Sequence, residues 1–95
     1  MTTTSKSSGV LGVQSAALNV GRTILTGVSI TAAAADVVVI IYDSLTAANK
    51  IAFQHTTDFS LVGLSQYIEL PNVRCEVGAF VVVTGTGAEV IVHYK

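Results

Sequence analysis

Tryptophan is missing from this sequence, proline and cysteine occur once each, and charge is scarce: five basic and six acidic residues in 95, or 12%, against about 25% in an ordinary soluble domain. Each shortage excludes something. The lone Cys75 has no partner for an internal disulfide, so the chain is not a disulfide-stapled secreted module, and synthesis in a reducing cytoplasm is expected. The cations Lys6, Arg22, Lys50, Arg74 and Lys95 are scattered. Binding to nucleic acid calls for clustered cations that displace counterions from phosphates, so no nucleic-acid partner is expected. The two histidines, His55 and His93, lie far apart, and no CxxC, HxH or HExxH spacing occurs. Neither a metal nor another cofactor is therefore expected. Residues 1–9, MTTTSKSSG, lack the apolar core of a signal segment. The longest apolar stretch, residues 32–42, is broken by Asp36 and falls short of the ~20 residues that span a bilayer. The chain reads as soluble, with no membrane partner.

What the sequence does hold is apolar surface. Hydrophobic residues make up 51% of the chain. A chain of this length forms one domain, and such a domain buries only about two thirds of the surface its unfolded chain exposes. More apolar surface is present than one copy can hide, so association with other copies or other proteins is the expectation. The organisation expected is a polar flexible arm, residues 1–9, and a single domain, residues 10–95.

The periodicity is that of strands. DVVVIIYD is a β-branched run of strand length, with Val37, Val39 and Ile41 on one face and Val38, Ile40 and Tyr42 on the other. The stiffness of Val and Ile at χ1 favours strand over helix despite the preceding alanines. Both faces are apolar, so the strand needs cover on both sides. ILTGVSIT alternates loosely. IAFQHT reads as a strand with Ile51, Phe53 and His55 on one side. SQYIELP reads as a strand that Pro71 ends, because proline cannot donate to a ladder. VQSAALNV, interrupted by flanking glycines, reads as extended or irregular, and residues 57–64 as a crossing between sheets. At the C-terminus AFVVVTGTGAEVIVHYK reads as a β-hairpin closed by TGTG. Its last strand carries Ala88, Val90, Val92 and Tyr94 on one face, and Glu89, Ile91, His93 and Lys95 on the other. Short connections without crossover helices imply antiparallel pairing. The expected fold is all-β: an antiparallel two-sheet β-sandwich of jelly-roll or immunoglobulin-like type, with about seven strands and an extended N-terminal arm.

No residue cluster announces a reaction. Strand alternation turns Arg74 and Glu76 outward and Cys75 inward, which makes Cys75 a small buried hydrophobe rather than a nucleophile. GTGAEV has the glycines of a phosphate loop but is followed by a strand pattern, not by the helix such a loop requires. The carboxylates Asp36, Asp43, Asp58, Glu69, Glu76 and Glu89 are spread singly, without a pair for acid–base work; Asp36 and Asp43 flank a strand, where acids serve turns. Tyr42, Tyr67 and Tyr94 offer rings for a sugar platform, though tyrosines at a core edge are the commoner case. The chain is not expected to be an enzyme.

Two stretches resemble a known group. IELPNVRCEVGAFVVVTGTGAEVIVHYK resembles the ending of small structural proteins of tailed bacteriophages, and DVVVIIYDSLTAANKIAF resembles their central hairpin through Tyr42, Asp43, Thr46, Lys50 and Ile51. Ala48 and Asn49 stand where that hairpin usually has glycine. The resemblance spans residues 24–95 and rests on packing signatures, not catalytic ones. It implies a virion component, made in the host cytoplasm: a capsid decoration or cement protein that forms a homo-oligomer, such as a trimer, and stabilises the shell by binding the major capsid protein. The interface residues expected are Val38, Ile40, Tyr42, Ile91 and His93. The alternative is a neck, tail or fibre accessory domain that binds a tail or neck protein and touches host-surface glycan.

Overall fold

In a computed structural model the described residues are 6–32, 36–47, 50–57 and 65–95. They form eight strands: β1 (Lys6–Ser7), β2 (Gln14–Val20), β3 (Thr23–Thr31), β4 (Val37–Tyr42), β5 (Ile51–Thr57), β6 (Ser65–Cys75), β7 (Gly78–Thr84) and β8 (Glu89–Tyr94). The first sheet has the order β1-β8-β3-β6 and the second β2-β7-β4-β5, with every pairing antiparallel. No helix occurs among the described residues. The pairing is nested: β1 pairs with β8, β2 with β7, β3 with β6 and β4 with β5. The chain is thus wound as one long hairpin folded over on itself.

The core between the sheets follows from alternation. Val37, Val39 and Ile41 of β4 are fully buried, as are Val81 of β7, Leu25, Val28 and Ile30 of β3, and Val90 and Val92 of β8. Removing each such side chain from water contributes about 1.5–3 kcal/mol. The faces assigned to β4 and β8 from the sequence are those observed. On β4 the second face is half-buried rather than dry, since Val38, Ile40 and Tyr42 are each partly exposed. The loose alternation of β3 comes from a bulge at Thr26, where the register slips against both β6 and β8. The bulge returns Val28 to the core after Leu25.

Three expectations are corrected. TGTG does not close a hairpin: β7 lies in the second sheet and β8 in the first, so residues 85–88 carry the chain from one sheet to the other. Gly85, at φ 119°, permits the turn there, and a Cβ at this position would collide with the Asp36 carbonyl. Pro71 does not end its strand. β6 runs on to Cys75, because it is an edge strand and its register slips from Glu69 to Val73, with Asn72 at φ 52°. At an edge, a missing N–H and a bulge cost the ladder little. Ile51 does not share a side with Phe53 and His55. A bulge between them pairs Phe53 with Ile41 and His55 with Val39, facing inward, while Ile51 pairs with Tyr42. The stretch read as extended or irregular is the seven-residue strand β2, whose register slips against β7 between Ala17 and Asn19.

The arm is described from Lys6 onward. Residues 6–11 lie along β8: Ser8 N donates to Val92 O at 2.9 Å, Ser8 Oγ accepts the Val92 N–H at 2.9 Å, and Leu11 exchanges backbone hydrogen bonds with Val90. Residues 1–5, the alanines 33–35, positions 48–49 and the connection 58–64 lie outside the described residues. β5 and β6, which flank that last connection, belong to different sheets.

Candidate functional site

The outward face of the second sheet is built by β7 and β4 at its centre. Pairing sets Phe80 beside Tyr42, Val82 beside Ile40 and Thr84 beside Val38. On the β4 flank, Ile51, Gln54 and Thr56 stand opposite Tyr42, Ile40 and Val38. On the β7 flank, Ser15 and Ala17 stand opposite Val82 and Phe80. The result is an apolar stripe, Val38, Ile40, Tyr42, Phe80 and Val82, extended at one edge by the exposed Ile51 and otherwise rimmed by uncharged polar or small side chains. None of the residues of β2, β7, β4 and β5 is an Asp, Glu, Lys or Arg. Among the described residues, Asp36, Asp43 and Lys50 place charge at the ends of these strands.

The outward face of the first sheet is of another kind. Its strands carry Lys6, Glu69, Arg74 and Glu89. Ile91 and His93 of β8 face outward beside Ser29 and Gly27 of β3, with Tyr67 and Glu69 of β6 on the far side. Tyr67, 57% exposed, leans across Gly27, where a Cβ would collide with the tyrosine ring. Its ring meets that of His93 edge-on, with centroids 5.9 Å apart. A glycine inside a strand leaves the ladder bare, and an aromatic ring from the neighbouring strand covers it.

The expected interface set is therefore divided. Val38, Ile40 and Tyr42 belong to the outer face of the second sheet, and Ile91 and His93 to the opposite outer face of the sandwich. Phe80 and Val82, which complete the apolar stripe, were missed by sequence reasoning. The signal was present, since alternation in FVVVT sets them on one face as it does in VVVIIY.

Two titratable groups are internal. Asp43, 5% exposed, closes β4. Its Oδ1 accepts the Val77 N–H at 2.8 Å, with the Gly78 N–H at 3.5 Å, and its Oδ2 lies 3.3 Å from Lys50 Nζ. Burial pushes the carboxyl up, but the backbone donors of Glu76, Val77 and Gly78, together with Lys50, outweigh it and hold Asp43 below the usual carboxylate range. The acid that flanks β4 in the sequence thus pins the β6–β7 turn. Cys75 is fully buried; burial first, and the Asp43 charge second, push its thiol up to about 11. That disfavours the thiolate a nucleophile needs. Arg74 and Glu76 are exposed and 3.8 Å apart, on the side expected of them.

Among the described residues no three of His, Cys, Asp and Glu come together, and no buried polar side-chain atom lacks a hydrogen-bond partner. His55 stacks on Phe53, ring centroids 6.4 Å apart, on the inner side of β5, and the other histidine, His93, belongs to the other sheet. No protein-family model, curated protein or solved structure matches the chain.

Proposed function

We propose that the chain is a structural protein of a bacteriophage virion, a capsid decoration or cement protein that self-associates and stabilises the shell by binding the major capsid protein. The observation that carries this reading is the uncharged apolar stripe on the outer face of the second sheet. A contiguous apolar stripe that stays half-open to solvent on a small domain suits a protein partner. Burying a few hundred Å2 of it gives a gross gain on the order of 10 kcal/mol, of the same size as the ~4–15 kcal/mol cost of association. One contact of this kind is weak, and many copies on a shell turn weak contacts into avidity.

The sandwich is further proposed to be of jelly-roll rather than immunoglobulin-like type. The nested pairing of β1 with β8 through β4 with β5 supports this, since eight strands in two wound Greek keys define that architecture, which is common in viral capsid proteins and lectins. The phage resemblance of residues 24–95 points to the same setting. The test is binding of purified chain to emptied phage heads, measured by co-sedimentation. Saturable binding that raises the temperature at which the heads rupture is the expected result; heads that neither bind nor gain stability would remove the reading.

A second reading draws on Tyr67. As a neck, tail or fibre accessory domain, the protein would stack a host-surface sugar on this ring, whose exposure suits it. Glycan binding by the isolated chain, lost in Tyr67→Ala, would favour that reading over a cement role.

A further inference from the structure

We infer that the outer face of the second sheet is covered by the same face of a second copy, the two related by a twofold axis passing near Ile40 and Val82. This rests on the reading of that face as a docking surface and names its occupant. Charge is the first argument. A twofold contact sets each group against a neighbour of its own kind near the axis, so a patch that docks on itself must avoid like charges there. β2, β7, β4 and β5 contribute no Asp, Glu, Lys or Arg to this face. The opposite face lacks this neutrality, because its strands carry Lys6, Glu69, Arg74 and Glu89.

Anatomy is the second argument. Val38, Ile40, Tyr42, Phe80 and Val82 form an apolar centre, and Ser15, Gln54, Thr56 and Thr84 form an exposed, uncharged polar rim. This is how interfaces between proteins are laid out.

Area is the third. Four strands about 4.8 Å apart and some six residues long make a face of roughly 19 by 20 Å, or ~400 Å2 in projection for each copy. Two copies together contribute ~800 Å2, and side-chain relief carries the accessible area past the ~1,000 Å2 that a specific interface needs. The contact sits at the small end of that range, so the dimer is reversible, with a dissociation constant in the micromolar range. Face-to-face stacking of two sheets also closes after two copies, whereas a trimer needs a heterologous contact. The assembly is therefore a dimer, and it leaves the Tyr67, Ile91 and His93 face free for the particle.

Sedimentation of the whole chain over roughly 1 μM to 1 mM, a span that brackets such a constant, tests the inference. Wild type is expected to pass from monomer to dimer. Ile40→Lys should stay monomeric with an unchanged β-sheet circular dichroism spectrum, and Glu89→Ala should dimerise as wild type does. Gln54→Lys changes an exposed rim side chain opposite Ile40, so it keeps the test alive if Ile40→Lys fails to fold; it should weaken the dimer at least ~10-fold, the equivalent of ~1.4 kcal/mol. A wild type that stays monomeric throughout, one that forms trimers, or a dimer untouched by Gln54→Lys overturns the inference. Head binding is scored separately. Monomers that coat heads through Ile40 would leave the cement role standing and remove the dimer, whereas dimers that ignore heads would do the reverse.

Discussion

The two outer faces of this sandwich each belong to a four-stranded antiparallel sheet, yet they meet solvent in different ways. On the first sheet the outward positions hold carboxylates, cations, hydroxyls, an imidazole, Ile91 and a tyrosine that covers a bare glycine. On the second sheet the same kind of position holds Val38, Ile40, Tyr42, Phe80 and Val82, with no formal charge on any of its strands. The inner faces are alike, so folding alone does not require the difference. A sheet that faces water on one side normally alternates apolar and polar residues. β8 follows that rule at Glu89 and His93 and departs from it at Ile91, whereas β4 is apolar at every outward position. The departure costs solubility and returns little to a lone molecule, which is why we propose that it serves association.

The largest expected effect separates the inward from the outward residues of β4. Ile41→Ala removes a fully buried side chain and should cost ~2–5 kcal/mol in denaturant unfolding. Ile40→Ala, one position along and half-buried, should cost under about 1.5 kcal/mol in the monomer while weakening association. Equal losses at the two positions would mean that the outer face is part of the monomer core.

Next comes Asp43, which holds the β6–β7 turn against the end of β4. Asp43→Ala should destabilise by ~2–4 kcal/mol, since it strands the backbone donors of residues 76–78. Because its folded carboxyl titrates below the ordinary value, its contribution is full above about pH 4 and is lost as pH falls through the lowered folded value. Wild type should therefore lose more stability than the alanine variant on acidification in that window. Parallel pH profiles would refute the pinning role.

A smaller effect is expected on the first sheet. Gly27→Val drives Tyr67 off β3 and should cost about 1–3 kcal/mol by overpacking, with dimerisation unchanged. Tyr67→Ala should cost less than ~1.5 kcal/mol, the range of an exposed aromatic contact. Smallest of all is the response to salt. An interface without charges should keep its dissociation constant within about twofold between ~50 and ~500 mM sodium chloride, because there is little for the ions to screen. A tenfold weakening would mean that the charged face carries the contact.

Much of this was legible in the sequence, and the failures have physical reasons. VVVIIY and EVIVHY declare strand and face because β-branched alternation has a single extended solution. TGTG misled because two glycines permit a tight turn without recording whether the next strand pairs with the last or crosses to the other sheet. Winding a nested hairpin needs the crossing. Pro71 misled because the penalty for proline depends on whether the strand lies at an edge, which pairing decides and composition does not. Gly27 was the overlooked signal: a glycine amid Leu25, Val28 and Ile30 implies close approach by another group, and Tyr67 is that group. The candidate interface was half legible. Val38, Ile40 and Tyr42 were visible on one strand, but their union with Phe80 and Val82, and their separation from Ile91 and His93, depend on which strands are neighbours.

Hydroxyl-radical footprinting of the purified chain, dilute and concentrated, tests the central claim most directly, because each outer face carries its own tyrosine. On concentration Tyr42 and Phe80 should lose reactivity while Tyr67 keeps it. Protection of Tyr67 with Tyr42 unchanged, or no change at either ring, would contradict the assignment of the uncharged face to association.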